Sequence, residues 1–478
     1  LRRSRRLPEV DRELMIDEGG LMIQRRQRRP RLRQQHALVF EIQRRESARL
    51  VLRLHDGQLL LLNRQKIADA AETRRQRRAA DDRAHDIRGQ CPTRRFPFKN
   101  TRFDDCAERF ADCTRESLTA KFQVLLQMSL VLTYATRRPV IRIGRIAGQY
   151  AKPRSADTET VNGAALPVYR GDLVNDVTPA PEARRADPAR LLDGYYHSAA
   201  SLNFLRALIE GGFADLHHPE QWDLGFIEQS RNSVEYRRVV DAIRDAVTFM
   251  ETVGGAAETL QRVSMHTSHE ALLLPYEEAM TRREGESWLN SSAHFLWLGY
   301  RTAQPDSAHV EYLRGVRNPV GVKVGPGTDV ERLLGILNVL DPDREPGRVT
   351  LITRFGAERA ASGLPPLLQA VSATRRQVVW SCDPMHGNTR PAGDGRKTRR
   401  MSDIFAELEQ TFEAHEAVGT RLGGVHFEMT GEAVTECLGG SGGVEKEDLG
   451  LRYQTACDPR MNGAQALEMA FLIARFMR

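Results

Sequence analysis

From residue 115 onward the apolar positions follow two alternating spacings. Between Arg115 and Thr133, Leu118, Phe122, Leu125, Leu126, Met128 and Leu132 recur at the three- and four-residue intervals of one helix face. Short apolar runs then appear at Val140–Ile146, Gln261–Thr267, Phe295–Tyr300, Val320–Val324, Val349–Phe355, Gln377–Cys382 and Val425–Met429. Their length and β-branched content predict strands. Helical patterns, including Ala189–Leu208, Val234–Glu251 and Ser402–Glu416, lie between them. Strand–helix alternation predicts a parallel sheet with helices outside it. These runs, with one more strand expected just before Cys106, supply the eight strands of a closed barrel. The expected class is therefore α/β: a (β/α)8 TIM barrel over residues 101–478 with helical insertions. No Gly-x-Gly-x-x-Gly follows a strand, which argues against a dinucleotide-binding sheet.

The first hundred residues read differently. They hold 24 Arg but 2 Lys, and Gln-Arg clusters recur. With 13 acidic residues against those 26 basic ones, this segment carries +13, while the remaining 378 residues carry −6. The overall +7 is thus a property of the N-terminal fifth. It gives no reason to expect a nucleic-acid partner for the body of the protein. Three readings of this Arg-rich segment stay open: a disordered extension, a stretch of GC-rich gene read out of frame, and an arm for phosphate backbones.

The six cysteines are scattered, with no Cys-x-x-Cys pair. Reduced thiols in the cytoplasm are the expectation, rather than a secreted disulfide framework. No apolar stretch reaches the roughly 18 residues of a membrane helix, and no secretory h-region opens the chain.

Charged residues follow nearly every predicted strand: Arg145, His269 and Glu270, Arg301, Lys323, Arg354, His386 and Glu428. In a parallel barrel the C-terminal strand ends share one face, where active sites are built. The residues fall into two chemical sets. Arg145, Lys152, Arg154, Arg301, Lys323 and Arg354 suit phosphate and carboxylate groups. Cys106, His386, Glu428 and Asp458 could hold a divalent transition metal. Spacing alone leaves the second set open, since an isolated buried Cys or His is more often a core residue.

Longer motifs narrow the reading. Gly144-Arg145-Ile146-Ala147-Gly148-Gln149-Tyr150-Ala151-Lys152-Pro153-Arg154-Ser155 closely resembles the signature of type II 3-deoxy-D-arabino-heptulosonate 7-phosphate (DAHP) synthases. So do Tyr169-Arg170-Gly171-Asp172, Thr267-Ser268-His269-Glu270, Asn318–Pro326, Asp383–Thr389, Glu428-Met429-Thr430 and Cys457-Asp458-Pro459-Arg460. The resemblance implies a metal-dependent synthase that condenses phosphoenolpyruvate with erythrose 4-phosphate at the head of the shikimate pathway. It implies Cys106, His386, Glu428 and Asp458 as metal ligands, with Mn2+ or Co2+ expected ahead of Zn2+ or Fe2+. By the same resemblance Arg145, Arg301, Lys323 and Arg354 would hold phosphoenolpyruvate, and Lys152, Arg154 and Ser155 would serve erythrose 4-phosphate. Arg145, Lys152, Glu270, Lys323 and His386 are the catalytic candidates, Glu270 and His386 for proton transfer. A homo-oligomer with aromatic amino acid effectors is the implied assembly, with no membrane partner.

Two segments depart from the family pattern. Thr101-Arg102-Phe103-Asp104-Asp105-Cys106 stands where the family has a Gln-Gly-Gly-Asp run, and Tyr300 and Ala303 replace a Glu and an Arg. A catalytically impaired metal-binding barrel, or a paralogue feeding phenazine- or ansamycin-type pathways, therefore remains an alternative.

Overall fold

The computed structural model of the protein describes residues 101–103, 109–154, 156–161, 163–215, 222, 232–252 and 263–477. The Arg-rich segment 1–100, Cys106 and Ser155 lie outside the described residues.

Eight strands form one sheet: β1 (Thr101–Phe103), β2 (Val140–Gly144), β3 (Met265–Glu270), β4 (Phe295–Leu298), β5 (Val320–Val324), β6 (Val349–Thr353), β7 (Val379–Cys382) and β8 (Leu422–Val425). They lie in chain order and every neighbouring pair is parallel. β1 also lies against β8, so the sheet curls back on itself as a TIM barrel. The strand expected before Cys106 is β1. The last strand differs from the expectation. It occupies Leu422–Val425, ahead of the apolar run, because Gly423 and Gly424 hide a strand that propensity alone does not report. The run His426–Met429 leaves the sheet and enters a loop, with Phe427 and Met429 still buried.

The period-two geometry of the strands separates two cores. Ile141 and Ile143 of β2, Phe295 and Trp297 of β4, and Ile352 of β6 form one cluster. These are alternate strands, as expected for side chains layered inside a barrel. On β5, Val320, Val322 and Val324 join the larger cluster shared with the helices. Gly321 and Lys323 therefore point the other way. A Cβ on Gly321 would lie 2.8 Å from Trp297 Cβ, so the glycine makes room for the indole.

Helices cover the outside. α1 (Arg115–Thr136) starts on a Thr114 cap that accepts from the Ser117 N–H, and ends at Arg137 with φ 53°. α2 (Arg190–Glu210) and α3 (Ser233–Thr252) are the helical insertion between β2 and β3. Shorter helices follow in the later units: α4 (Leu274–Met280), α5 (Ala308–Gly315), α6 (Val330–Leu340), α7 (Ala360–Ala373) and α8 (Met401–Val418). α9 (Gly463–Phe476) packs against α1. No helix among the described residues is long and apolar enough to cross a membrane.

Candidate active site and metal centre

The charged residues expected at strand ends sit within one residue of the C-terminal end of their strand or beyond it. Glu270 ends β3, Lys323 is the fourth residue of β5, and Arg145 and Arg354 immediately follow β2 and β6. His386 lies four residues past β7, and Glu428 three past β8. Arg301 occupies an exposed turn after β4.

One group gathers around His386. Among the described residues His386, Glu428 and Asp458 form a set whose ligand atoms all lie within 4.8 Å of one another. His386 Nε2 is 3.2 Å from Glu428 Oε1. Its other ring nitrogen, Nδ1, is 2.7 Å from Asp383 Oδ2. Asp383 is fully buried and also accepts from Lys323 Nζ at 3.0 Å and from the backbone N–H groups of Met385 and His386, each at 3.1 Å. Against the effect of burial, Asp383 and Glu428 favour the charged form of this imidazole. Asp383 keeps the proton on Nδ1, so the proton the ring gives up is the one on Nε2, whose lone pair then faces Glu428. Burial alone would raise the Asp383 carboxyl, but the charges of His386 and Lys323 outweigh it and hold it well below the usual range. Glu428 behaves likewise: burial is overcome by His386, Arg399 and Lys152. Asp458 is also depressed, its burial and the repulsion from Glu428 being overcome chiefly by Lys152. Both carboxylates are thus ionised, and one imidazole nitrogen with two carboxylates is a donor set suited to a divalent transition metal. Lys152 Nζ lies 3.5 Å from Glu428 and 3.6 Å from Asp458, joining the phosphate-type cations to this group.

The cations share an aromatic partner. The Arg145 guanidinium is 5.6 Å and Lys323 Nζ 5.7 Å from the Trp297 ring, a member of the inner core cluster. Arg354 donates to the His386 carbonyl at 3.0 Å and lies 5.5 Å from the Tyr300 ring. Tyr300, where the family has Glu, donates its hydroxyl to the Pro326 carbonyl. Arg154 is engaged by Glu159 and by the Tyr169 carbonyl, each at 2.9 Å. Glu270 Oε1 is buried without a hydrogen-bond partner, and a Cβ on Gly299 would lie 2.0 Å from it. Only a glycine at 299 leaves that oxygen space.

The loops that carry Arg354 and His386 are pressed together. A Cβ on Gly387 would meet Gly356 N at 2.3 Å. Behind them Glu407 of α8 accepts from Phe355 N at 2.7 Å and Asn388 Nδ2 at 2.8 Å. Burial pushes its carboxyl up to about 7. Asp383, Trp297, Arg399 and Glu407 were not singled out from sequence. Two of them had a signal: Asp383 as the first residue of the Asp383–Thr389 motif, and Trp297 inside the predicted strand Phe295–Tyr300.

Residues 101–474 match the model of the class-II DAHP synthetase family. The phospho-2-dehydro-3-deoxyheptonate aldolase of Neurospora crassa is 49% identical over 393 residues, covering 78% of this chain and 81% of the relative. Enzymes of the same name from Streptomyces coelicolor and Mycolicibacterium smegmatis are each 46% identical, covering 78% of this chain and 84% and 82% of their own. The chain belongs to the class-II DAHP synthetase family. The His386–Glu428–Asp458 cluster thus falls inside the part of the chain that the family model matches. Within this DAHP synthetase the fourth expected ligand, Cys106, is outside the described residues.

Proposed function

We infer that the protein is a 3-deoxy-7-phosphoheptulonate synthase, condensing phosphoenolpyruvate with erythrose 4-phosphate to give DAHP and inorganic phosphate at the first step of the shikimate pathway. The observation that carries this reading is the convergence, at one barrel end, of the His386–Glu428–Asp458 cluster with Lys152, Lys323, Arg145 and Arg354. His386 through Nε2, Glu428 and Asp458, with Cys106 as the expected fourth ligand, would hold a divalent ion, and we propose Mn2+ or Co2+. Such an ion, when bound, supplies Lewis acidity for an aldehyde oxygen.

The protein's own side chains do the rest. Arg145, Arg301, Lys323 and Arg354 bring four positive charges to one substrate carrying a carboxylate and a phosphate. Arg145 and Lys323, being buried, neutralise those charges without reorganising as the reaction proceeds, while Arg301 reaches in from an exposed turn. Trp297 limits the movement of Arg145 and Lys323, which keeps the enol carbon at reacting distance from the aldehyde. Lys152, next to the carboxylates, is suited to the second substrate, with Arg154 and Ser155 on the same segment. Both ring nitrogens of His386 are engaged, by Asp383 and by the ligand group. Glu270, with one buried oxygen unpartnered, is therefore the stronger candidate for moving a proton to or from water.

The catalytic unit of this reading is residues 101–478, acting in the cytoplasm as a homo-oligomer under aromatic amino acid control. Nuclear magnetic resonance of the product tests it. Phosphoenolpyruvate labelled with carbon-13 at C3 should yield a seven-carbon phosphosugar acid labelled at C3. Unchanged label in the presence of erythrose 4-phosphate and Mn2+ would overturn the reading.

A further inference from the structure

Arg399 is fully buried in the strand Lys397–Arg400, outside the barrel sheet. Its nitrogens reach three different segments. Nε donates to Thr389 Oγ1 at 2.9 Å, one terminal nitrogen donates to the Pro459 carbonyl, and the other pairs with Glu428 Oε2 at 2.7 Å. Thr389 lies three residues after His386, and Pro459 directly follows Asp458. A single planar guanidinium therefore spans every described segment that carries a member of the ligand cluster. The two oxygens of Glu428 are divided by this arrangement. Oε1 is 3.2 Å from His386 Nε2 and 3.5 Å from Lys152 Nζ, whereas Oε2 is held by Arg399.

We propose that Arg399 is a positioning residue of the metal centre, fixing the three ligand-bearing segments against one another and leaving Glu428 to meet a divalent ion through Oε1 alone. The inference rests on the reading of His386, Glu428 and Asp458 as ligands. Two effects of Arg399 oppose each other. Its charge repels a dication, while its three-way anchoring orders the ligands before the ion arrives, as partners behind metal ligands commonly do. A substitution that removes the charge alters both. Arg399→Lys keeps the charge and loses the planar fork, since an ammonium is a point charge that cannot reproduce three divergent contacts.

The test is direct Mn2+ binding to metal-stripped protein, followed by calorimetry or by the electron paramagnetic resonance of free Mn2+. Arg399→Lys should bind Mn2+ about tenfold more weakly, with wild-type circular dichroism and wild-type KM for phosphoenolpyruvate at saturating metal. A merely structural role would lower the melting temperature and leave the affinity alone; wild-type affinity in a folded variant overturns the proposal. Should Arg399→Lys fail to fold, Thr389→Val carries the test. It removes one anchor and leaves Arg399 in place, so about tenfold weaker binding is expected, the lower end for one lost hydrogen bond to a charged group. Unchanged affinity would overturn the proposal as well. His386→Ala separates the two levels: if it binds Mn2+ like the wild type, the ligand assignment fails, and the role of Arg399 falls with it.

Discussion

Asp383→Asn changes the size of the side chain hardly at all and removes one charge from the centre of the site. Asp383 receives four donors: Lys323 Nζ at 3.0 Å, His386 Nδ1 at 2.7 Å, and two backbone N–H groups at 3.1 Å. An amide offers one oxygen and presents an NH2 group in place of the other. The two backbone N–H groups bond Oδ1 and keep the amide oxygen there, so the NH2 group takes the place of Oδ2, which Lys323 and His386 share. If Lys323 loses its partner, a buried ammonium is left uncompensated, at a cost of about 3–5 kcal/mol. If His386 does, the ring exchanges its proton to Nε2, the nitrogen that faces Glu428, and cannot serve as a ligand. At about 1.4 kcal/mol per tenfold, the first effect alone corresponds to roughly a hundredfold to several-thousandfold loss. We expect Asp383→Asn to lower kcat/KM for phosphoenolpyruvate by about a thousandfold and to weaken Mn2+ binding by about ten- to a hundredfold. Steady-state phosphate release and direct Mn2+ titration check the two numbers separately. A folded variant within fivefold of the wild type in both would refute the view that Asp383 organises His386 and Lys323 together.

Three other outcomes follow from the geometry. Gly299→Ala, whose Cβ would lie 2.0 Å from Glu270 Oε1, should fold but lose about a hundredfold in kcat if Glu270 handles the proton; near-wild-type turnover would remove Glu270 from the mechanism. Glu407 titrates at about 7 in the fold against 4.5 as an ordinary carboxyl, so its protonated form is favoured by folding. Its stabilising contribution is full below pH 4.5, is lost as the pH rises to 7, and amounts to about 3 kcal/mol. Glu407→Gln should flatten the decline in stability between pH 5 and 7.5 seen by urea denaturation, and an unchanged slope would contradict this. Dialysis against a strong chelator should abolish turnover, with recovery on adding Mn2+ or Co2+; full activity in the chelated protein would contradict a metal-dependent reaction.

The barrel was legible because parallel strands buried on both faces leave short runs rich in β-branched and other apolar residues, as Val320–Val324 and Val349–Phe355 do, each broken by only a few polar or small positions. The position of β8 was not, because Gly423 and Gly424 carry no strand signal, and the apolar residues there belong to the loop that follows. Strand-end charges such as Lys323 and Arg354 were legible because topology gathers the strand ends on one face. The residues behind them were not. Arg399 sits in a Lys397-Thr398-Arg399-Arg400 stretch that looks like a solvated basic turn, and Glu407 is one of several acidic residues on a helix. Their burial comes from long-range packing: Arg399 reaches Pro459, and Glu407 reaches Phe355. A period of 2.0 or 3.6 residues cannot show contacts of that range.

The central claim is that the clustered cations and the His386–Glu428–Asp458 group join two substrates at one barrel end. Phosphate release from phosphoenolpyruvate, measured with and without erythrose 4-phosphate in the Mn2+-loaded protein, tests it most directly. Release that requires the sugar phosphate and ceases in His386→Ala is the predicted result. Release that proceeds equally without the sugar, or no release under any of these conditions, would contradict it.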